Sequence, residues 1–194
     1  MAVQVAKHIY GAEKVVSSVS TPKISLVPDL LPPGTVDQLI DYQTQDIVRT
    51  LGPGTVDCVF NTQMSGYTAL FPLAKPNTGG IVSIASLPSA ASAQNMMGSH
   101  KTLPFWLRWI LQLAYVWYNW NLRGTNVRQD FVSGNPAARE DAELEGEYIA
   151  QGKIVAVKTV VNLEDIDELR RRAQMVATGK GGVGCLVIII KKDE

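Results

Sequence analysis

The 194-residue sequence has few of the residues that build metal sites and disulfides: two cysteines and two histidines. Cys58 and Cys185 lie far apart, and no histidine stands at a ligand spacing from either, so a structural zinc site is not expected. Each cysteine sits in an apolar, strand-like run and is expected to be a buried, reduced thiol. There is no excess of either charge, with 18 basic and 18 acidic residues. A protein that tracks nucleic-acid phosphates needs a basic surplus, so nucleic acid is not an expected partner. A net charge of zero also leaves little repulsion between copies. Long uninterrupted apolar runs are missing too. The longest, residues 103–120, holds Arg108 and Gln112, whereas a membrane-spanning helix wants about 20 apolar residues. Lys7 and His8 interrupt the N-terminal stretch, which does not read as a signal peptide. The expectation is a soluble, cytoplasmic protein with no metal and no membrane partner.

What is present is an alternation of short strands and helices. Residues 2–10 read as a helix stopped by Gly11, and residues 14–18 as a strand before the turn-like Ser20-Thr21-Pro22. Residues 28–34 are Pro/Leu-rich and irregular. Strands are expected at 38–42, 56–60 and 80–86, with helices at 45–51 and 65–73 between them. Residues 87–101 read as a loop, and 123–140 as a polar, flexible segment. The last part reads as helix 142–151, strand 154–161, helix 162–178 and strand 185–191. Asn162 is the expected N-cap of that last helix, with Asp165 in its first turn. The pattern is that of an α/β domain with a mainly parallel sheet flanked by helices. Two regions are delineated: 1–122, containing an aromatic helix at 104–121, and 123–194, a helix-strand-helix-strand segment packing on the same domain.

Aromatic residues make up only 7% of the chain, yet seven of them fall within residues 105–120. Phe105, Trp106, Trp109, Tyr115, Trp117, Tyr118 and Trp120 point to nearly every face of a helix, and a helix apolar all round is expected to be buried on several sides. It would pack on a second copy as a homodimer or in the core, line a pocket for an apolar small molecule, or touch a membrane surface. The last needs a basic polar face, which is absent. Gly179–Gly184 (GKGGVG) is glycine-rich but precedes a strand and lacks the Ser/Thr of a P-loop, so it is a weak phosphate cradle. No nucleophile elbow or Ser-His-Asp spacing is present in the sequence. His8 reads as a surface histidine.

Several strings, in order along the chain, resemble the zinc-independent, quinone-oxidoreductase-like or enoyl-reductase-like branch of the medium-chain dehydrogenases/reductases. They are AVQVAK at 2–7, GAEKVVSSVSTPK at 11–23, Asp41-Tyr42, VDCVFNT at 56–62, LAKPNTGGIVSIAS at 73–86 and the stretch 162–190. The aromatic insert LPFWLRW at 103–109 is similar to that of fungal forms. The resemblance implies a Rossmann-like fold. Set against full-length members, the chain starts after the GroES-like domain, the first strand and the glycine-rich cofactor loop. The strand at 185–190 is then expected either to fill the vacant central slot, in the same chain or from a partner, or to keep its usual closing position.

The resemblance also points to site residues. Tyr42, Asn61, Gln63, Ser83 and Ser86 would face a pocket, Asn61 standing where the family has aspartate. His100 lies in a loop where a lid could be. The catalytic set expected is Tyr42, Asn61, Gln63, Ser86 and His100, with Ser83, Phe105, Trp106, Trp109 and Tyr115 binding substrate. If NADPH is retained, Ser18, Ser20, Lys23 and Tyr42 would hold it, since the turn after Val16 carries no acid. The leading reading is an enzyme needing no cofactor, which isomerises or cyclises an apolar small molecule in secondary metabolism, a [4+2] cycloaddition being one example. Such steps need little beyond a shaped pocket and a few hydrogen bonds. The alternatives are an NADPH-dependent quinone or enoyl oxidoreductase and a non-catalytic binding partner.

Overall fold

The computed structural model describes residues 1–97, 102–132, 139–178 and 184–190. Along the chain the elements are α1 (Ala2–Gln4, continuing as a π-helical turn over Val5–Ile9), β1 (Val16–Val19), α2 (Thr21–Ile24), α3 (Val27–Leu30), β2 (Gln38–Asp41), α4 (Ile47–Leu51) and β3 (Cys58–Asn61). A 3₁₀ helix (Tyr67–Leu73), β4 (Gly80–Ser83), α5 (Ala90–Met97), α6 (Phe105–Asn121) and β5 (Arg128–Phe131) follow. The chain ends on α7 (Arg139–Ala150), β6 (Lys158–Asn162), α8 (Ile166–Ala177) and β7 (Cys185–Ile189). The architecture is mixed α/β, with parallel sheets and flanking helices, as the alternation implies. Two compact units form: residues 1–39 with 140–194, and residues 40–139.

In the first unit β1 pairs with β2, whose sequence runs on past the unit boundary. Asp37 organises the entry to this pair. Its carboxylate accepts the Val15 N–H at 2.7 Å and the Lys7 ammonium at 2.8 Å, and the Lys7 bond is the main reason its pKa is lowered. Gln4 is fully buried, and its amide pairs with the backbone of Val155 through both ends: Nε2 donates to the Val155 oxygen at 3.0 Å, and Oε1 accepts the Val155 N–H at 2.7 Å. A side-chain amide is the one group that offers a donor and an acceptor side by side in this way. Further along, β6, α8 and β7 make a parallel strand-helix-strand unit in which Lys158 faces Cys185 and Asn162 faces Ile189. α8 is capped by Asp165, whose carboxylate accepts the Glu168 N–H at 3.1 Å, and not by Asn162. The helix starts later than expected because Asn162 is still paired in β6. β7 pairs in parallel with β6, and among the described residues with no other strand.

The second unit holds a three-stranded parallel sheet of order β3-β4-β5. Val59, Ile81 and Gln129 stand level in the ladder, as do Asn61, Ser83 and Phe131. Successive side chains alternate across a strand, so these six share one face. That face is covered by the core of Tyr67, Phe71, Leu73, Leu122 and Val127. Cys58 lies on the other face and is exposed, as is Cys185 on β7, so neither is the buried thiol expected from its apolar run. At the N-terminal ends, the turns before β4 and β5 are tied together. Asn77 and Asn126 both take left-handed backbone, which asparagine tolerates better than most residues, and the Asn126 amide donates to the Asn77 oxygen at 2.7 Å. Gly79 closes the first of these turns; a Cβ there would lie 2.6 Å from the Lys75 carbonyl oxygen, so no larger residue fits.

Four local expectations are corrected in this unit. Residues 87–101 are not wholly loop, because Ala90–Met97 form α5 with Ala90 and Ala93 packed on Leu111. The segment read as flexible contains β5, an edge strand of alternating charge and amide (RQDF) whose pairing with β4 overrides its low strand propensity. The helix expected at 65–73 is 3₁₀, with Pro72 inside it. The aromatic segment is helical as expected, but it is not buried on several sides: Leu111 is its one buried residue. Leu111 packs with α5, and Tyr118 rests on the core.

Replacing Gln4 by Leu keeps the volume and removes both hydrogen bonds to the Val155 backbone. It should destabilise the protein by about 2 kcal/mol, given roughly 0.5–1.5 kcal/mol net for each hydrogen bond lost. Urea denaturation of wild type and Gln4→Leu measures this; a difference near zero would show that the amide pairing contributes nothing.

Candidate functional site

In open parallel sheets ligands bind outside the carboxyl ends of the strands. In the second unit that edge carries a cluster of buried polar side chains. Asn61 ends β3 and Ser83 ends β4, and the two are joined by a 2.9 Å hydrogen bond from Asn61 Nδ2 to Ser83 Oγ. Asn61 also shapes the loop after its own strand: Nδ2 donates to the Gln63 oxygen at 2.6 Å, and Oδ1 accepts the Gln63 N–H at 3.3 Å. Ser83 Oγ does the same for the next loop, accepting the N–H groups of Ala85 at 3.2 Å and Ser86 at 2.9 Å. Two short side chains thus fix the course of both loops that leave the sheet.

Next to them stands Tyr67, at the start of the 3₁₀ helix and 3% exposed. Its ring packs edge-on against Phe71 and Tyr118, each with centroids 5.0 Å away. Its phenol donates to Gln129 Oε1 at 3.2 Å. Burial pushes the Tyr67 pKa up to about 12, helped by Tyr118 and Asp130, while the neighbouring Ser86 hydroxyl opposes the shift. Ser86 lies close enough to favour the phenolate but makes no well-formed hydrogen bond: its Oγ is buried without a partner. Gln129 Nε2 is also buried and unpartnered, since Tyr67 engages only the oxygen end of the amide. The result is a neutral phenol that fixes which way Gln129 points, flanked by two donors, Ser86 O–H and Gln129 N–H, that lack acceptors. A buried donor without an acceptor costs roughly 1–3 kcal/mol, so such a pair favours a ligand oxygen. The loops after β3 and β4 add exposed apolar Met64, Ile84 and Leu87.

Of the residues anticipated from sequence, Asn61, Gln63, Ser83 and Ser86 come together here. Gln63 is exposed and contributes its backbone. Tyr42 follows β2, is 39% exposed and is not hydrogen-bonded to this cluster. Phe105, Trp106 and Trp109 lie on the exposed side of α6, and Tyr115 is half-buried. His100 lies outside the described residues, as does the glycine run from 179 to 183. In the first unit, Ser18 on β1 and Lys23 on α2 are exposed, with Ser20 half-buried between them. Tyr67 and Gln129 were not anticipated. Tyr67 forms an aromatic pair with Phe71 at a spacing of four, a core signal; Gln129 falls in a stretch with no strand pattern.

Tyr67 should reveal itself in an alkaline titration. One phenol is expected to ionise near pH 12, and that step should vanish in Tyr67→Phe, read from phenolate absorbance. Because the folded pKa lies above the unfolded value of 10.0, the stabilisation is complete below pH 10 and lost as pH rises toward 12. A full set of tyrosines titrating near pH 10 in the folded protein would show that the ring is not buried as described.

No family model matches the sequence, and no curated protein matches it. Solved structures do. The quinone oxidoreductase from Coxiella burnetii aligns over 98% of this chain and 48% of its own, with a TM-score of 0.59 and 17% identity. The alcohol dehydrogenase from the hyperthermophilic archaeon Aeropyrum pernix aligns over 96% of this chain and 46% of its own, with a TM-score of 0.59 and 17% identity. CurA from Vibrio vulnificus, solved in complex with NADPH, covers 97% and 54%, with a TM-score of 0.55 and 16% identity. The chain therefore spans about half the length of the structures it matches. At these identities the likeness is one of fold: the chain shares the Rossmann-like architecture of the quinone oxidoreductase and alcohol dehydrogenase structures it matches.

Proposed function

We propose that the second unit binds an apolar small molecule through a carbonyl oxygen, which accepts hydrogen bonds from Ser86 O–H and Gln129 N–H. The observation that carries this is the pair of unpartnered buried donors beside Tyr67, Ser86 in the loop after β4 and Gln129 one repeat behind the carboxyl edge on β5. Donors held in place before the ligand arrives stabilise negative charge developing on a carbonyl oxygen, and in a water-poor setting each is worth more than in bulk solvent. Tyr67 acts on the reaction through Gln129: by binding Oε1 it leaves Nε2 for the ligand. Asn61 and Ser83 hold the two loops that present Ser86. No charged group belongs to the donor set, which suits a neutral ligand.

The reaction class supported by the fold likeness is reduction of an enone or quinone by NADPH, with the oxidoreductase neighbours as the reason for placing it first. The donor chemistry on and after β1 fits a 2′-phosphate: Ser18, Ser20 and Lys23 offer hydroxyls and an ammonium, and no acid lies between Val16 and Lys23. These residues would hold NADPH, which when bound supplies a hydride. The second reading is isomerisation or cyclisation of a similar substrate with no cofactor, and the charge-free donor pair favours it, because polarising a carbonyl is all that such a step asks of the protein.

NADPH titration followed by nicotinamide fluorescence, with enones and quinones as substrates, separates the two. Hydride transfer supports the reduction. Conversion of an apolar carbonyl compound without cofactor supports the second reading, and no binding of either kind of ligand would overturn both. For whichever substrate turns over, Gln129→Leu should lower kcat by roughly 100-fold, the usual cost of removing one such donor. An unchanged kcat would remove Gln129 from the site.

A further inference from the structure

α6 presents two apolar faces, and one is uncovered. At about 100° per residue, Leu107, Leu111, Tyr118 and Leu122 fall on one side and pack within the second unit. On the opposite side, Phe105, Trp106, Trp109, Ile110, Leu113, Val116, Trp117 and Trp120 make a continuous arc of about 140°, each of them 50–79% exposed. Arg108, Gln112 and Asn119 border the arc and none of them lies within it. Aromatic side chains carry 150–250 Å² each, so the five aromatics alone expose roughly 600 Å². The three aliphatic residues bring the face to about 800 Å², the area each partner contributes to a standard stable interface.

The order of the residues selects the occupant. Counted outward from Leu113, Ile110 and Val116 stand three positions away, Trp109 and Trp117 four, and Trp106 and Trp120 seven. Apart from Phe105, whose counterpart eight positions beyond Leu113 is Asn121, the exposed face therefore reads alike in both directions. In an antiparallel helix pair, residues meet when their numbers sum to a constant, and a two-fold axis makes every contact occur twice. An axis at Leu113 sets Leu113 on its own copy, Trp109 on Trp117 and Trp106 on Trp120, large against large with no charge to pair. We infer that α6 forms a two-fold, antiparallel contact with a second copy of this chain, centred on Leu113. The zero net charge of the chain adds no repulsion. A membrane surface is the lesser fit, because the face has two cations beside it, Arg108 on its border and Arg123 with its guanidinium 5.4 Å from the Trp120 ring centre, where an interfacial helix has a whole basic face.

The test uses the full chain, with Cys58 and Cys185 replaced by Ser for the cross-linking arm because both are exposed. Leu113→Cys should form a disulfide-linked dimer under oxidised glutathione. Phe105→Cys should not, since its two copies would lie roughly 24 Å apart at 1.5 Å per residue. In sedimentation, wild type should be dimeric at micromolar concentration. Trp109→Lys and Trp117→Glu should each give monomers, and the double variant should restore the dimer by pairing the introduced ammonium of one copy with the introduced carboxylate of the other. Both sites are exposed, and circular dichroism confirms that each variant is folded. A wild-type monomer would overturn the proposal, as would a folded double variant that stays monomeric, equal cross-linking at 105 and 113, or a monomer that binds phosphatidylcholine vesicles through α6.

Discussion

The parallel register of β3, β4 and β5 is the constraint on which the rest of the second unit depends. It brings Asn61, Ser83 and Phe131 level at the carboxyl edge, with Val59, Ile81 and Gln129 one repeat behind. Because side chains alternate, a slip of one residue in either strand pair would turn the polar cluster to the other face. Two features hold the register from opposite ends. The Asn77–Asn126 bond joins the turns at the entry, and the Asn61–Ser83 bond joins the strands at the exit.

On that frame the site acquires its electrostatic character from burial. Tyr67 is part of the hydrophobic core through Phe71 and Tyr118, and part of the polar cluster through Gln129. The same desolvation that keeps its phenol neutral makes an unsatisfied donor beside it costly. A neutral phenol commits its single proton to Gln129 Oε1, so the direction of the Gln129 amide follows from the core packing of one ring. Packing and polarity are thus one arrangement here, which is why a core aromatic matters to the chemistry of the site.

α6 shows how far composition can mislead about burial. Seven aromatics in sixteen residues suggest a helix enclosed on several sides, yet its inward face is made chiefly of leucine and Tyr118, and the tryptophans face out. The inward stripe follows the helical repeat and packs on α5 and the core. Among the described residues the opposite stripe is exposed.

The alternation of apolar runs with turn residues was enough to locate β2, β4, α4, α6 and the parallel α/β class, because hydrophobic periodicity is local and strong there. Asn61, Ser83 and Ser86 were pointed to by the resemblance and not by the alternation; Asn61 and Ser83 end their strands, and Ser86 lies in the loop after β4. β5 was illegible, since RQDF has no apolar alternation and becomes a strand only by pairing with β4. α5 was hidden by its small residues, which are helical because Ala90 and Ala93 let α6 approach. The cysteines read as buried because strand character says nothing of which face will be covered. By itself, then, the sequence determined the fold class. Tertiary structure alone decided that Tyr67 and Gln129 join the polar cluster, because they meet across 62 residues of chain through a core contact and a strand pairing that no local pattern encodes.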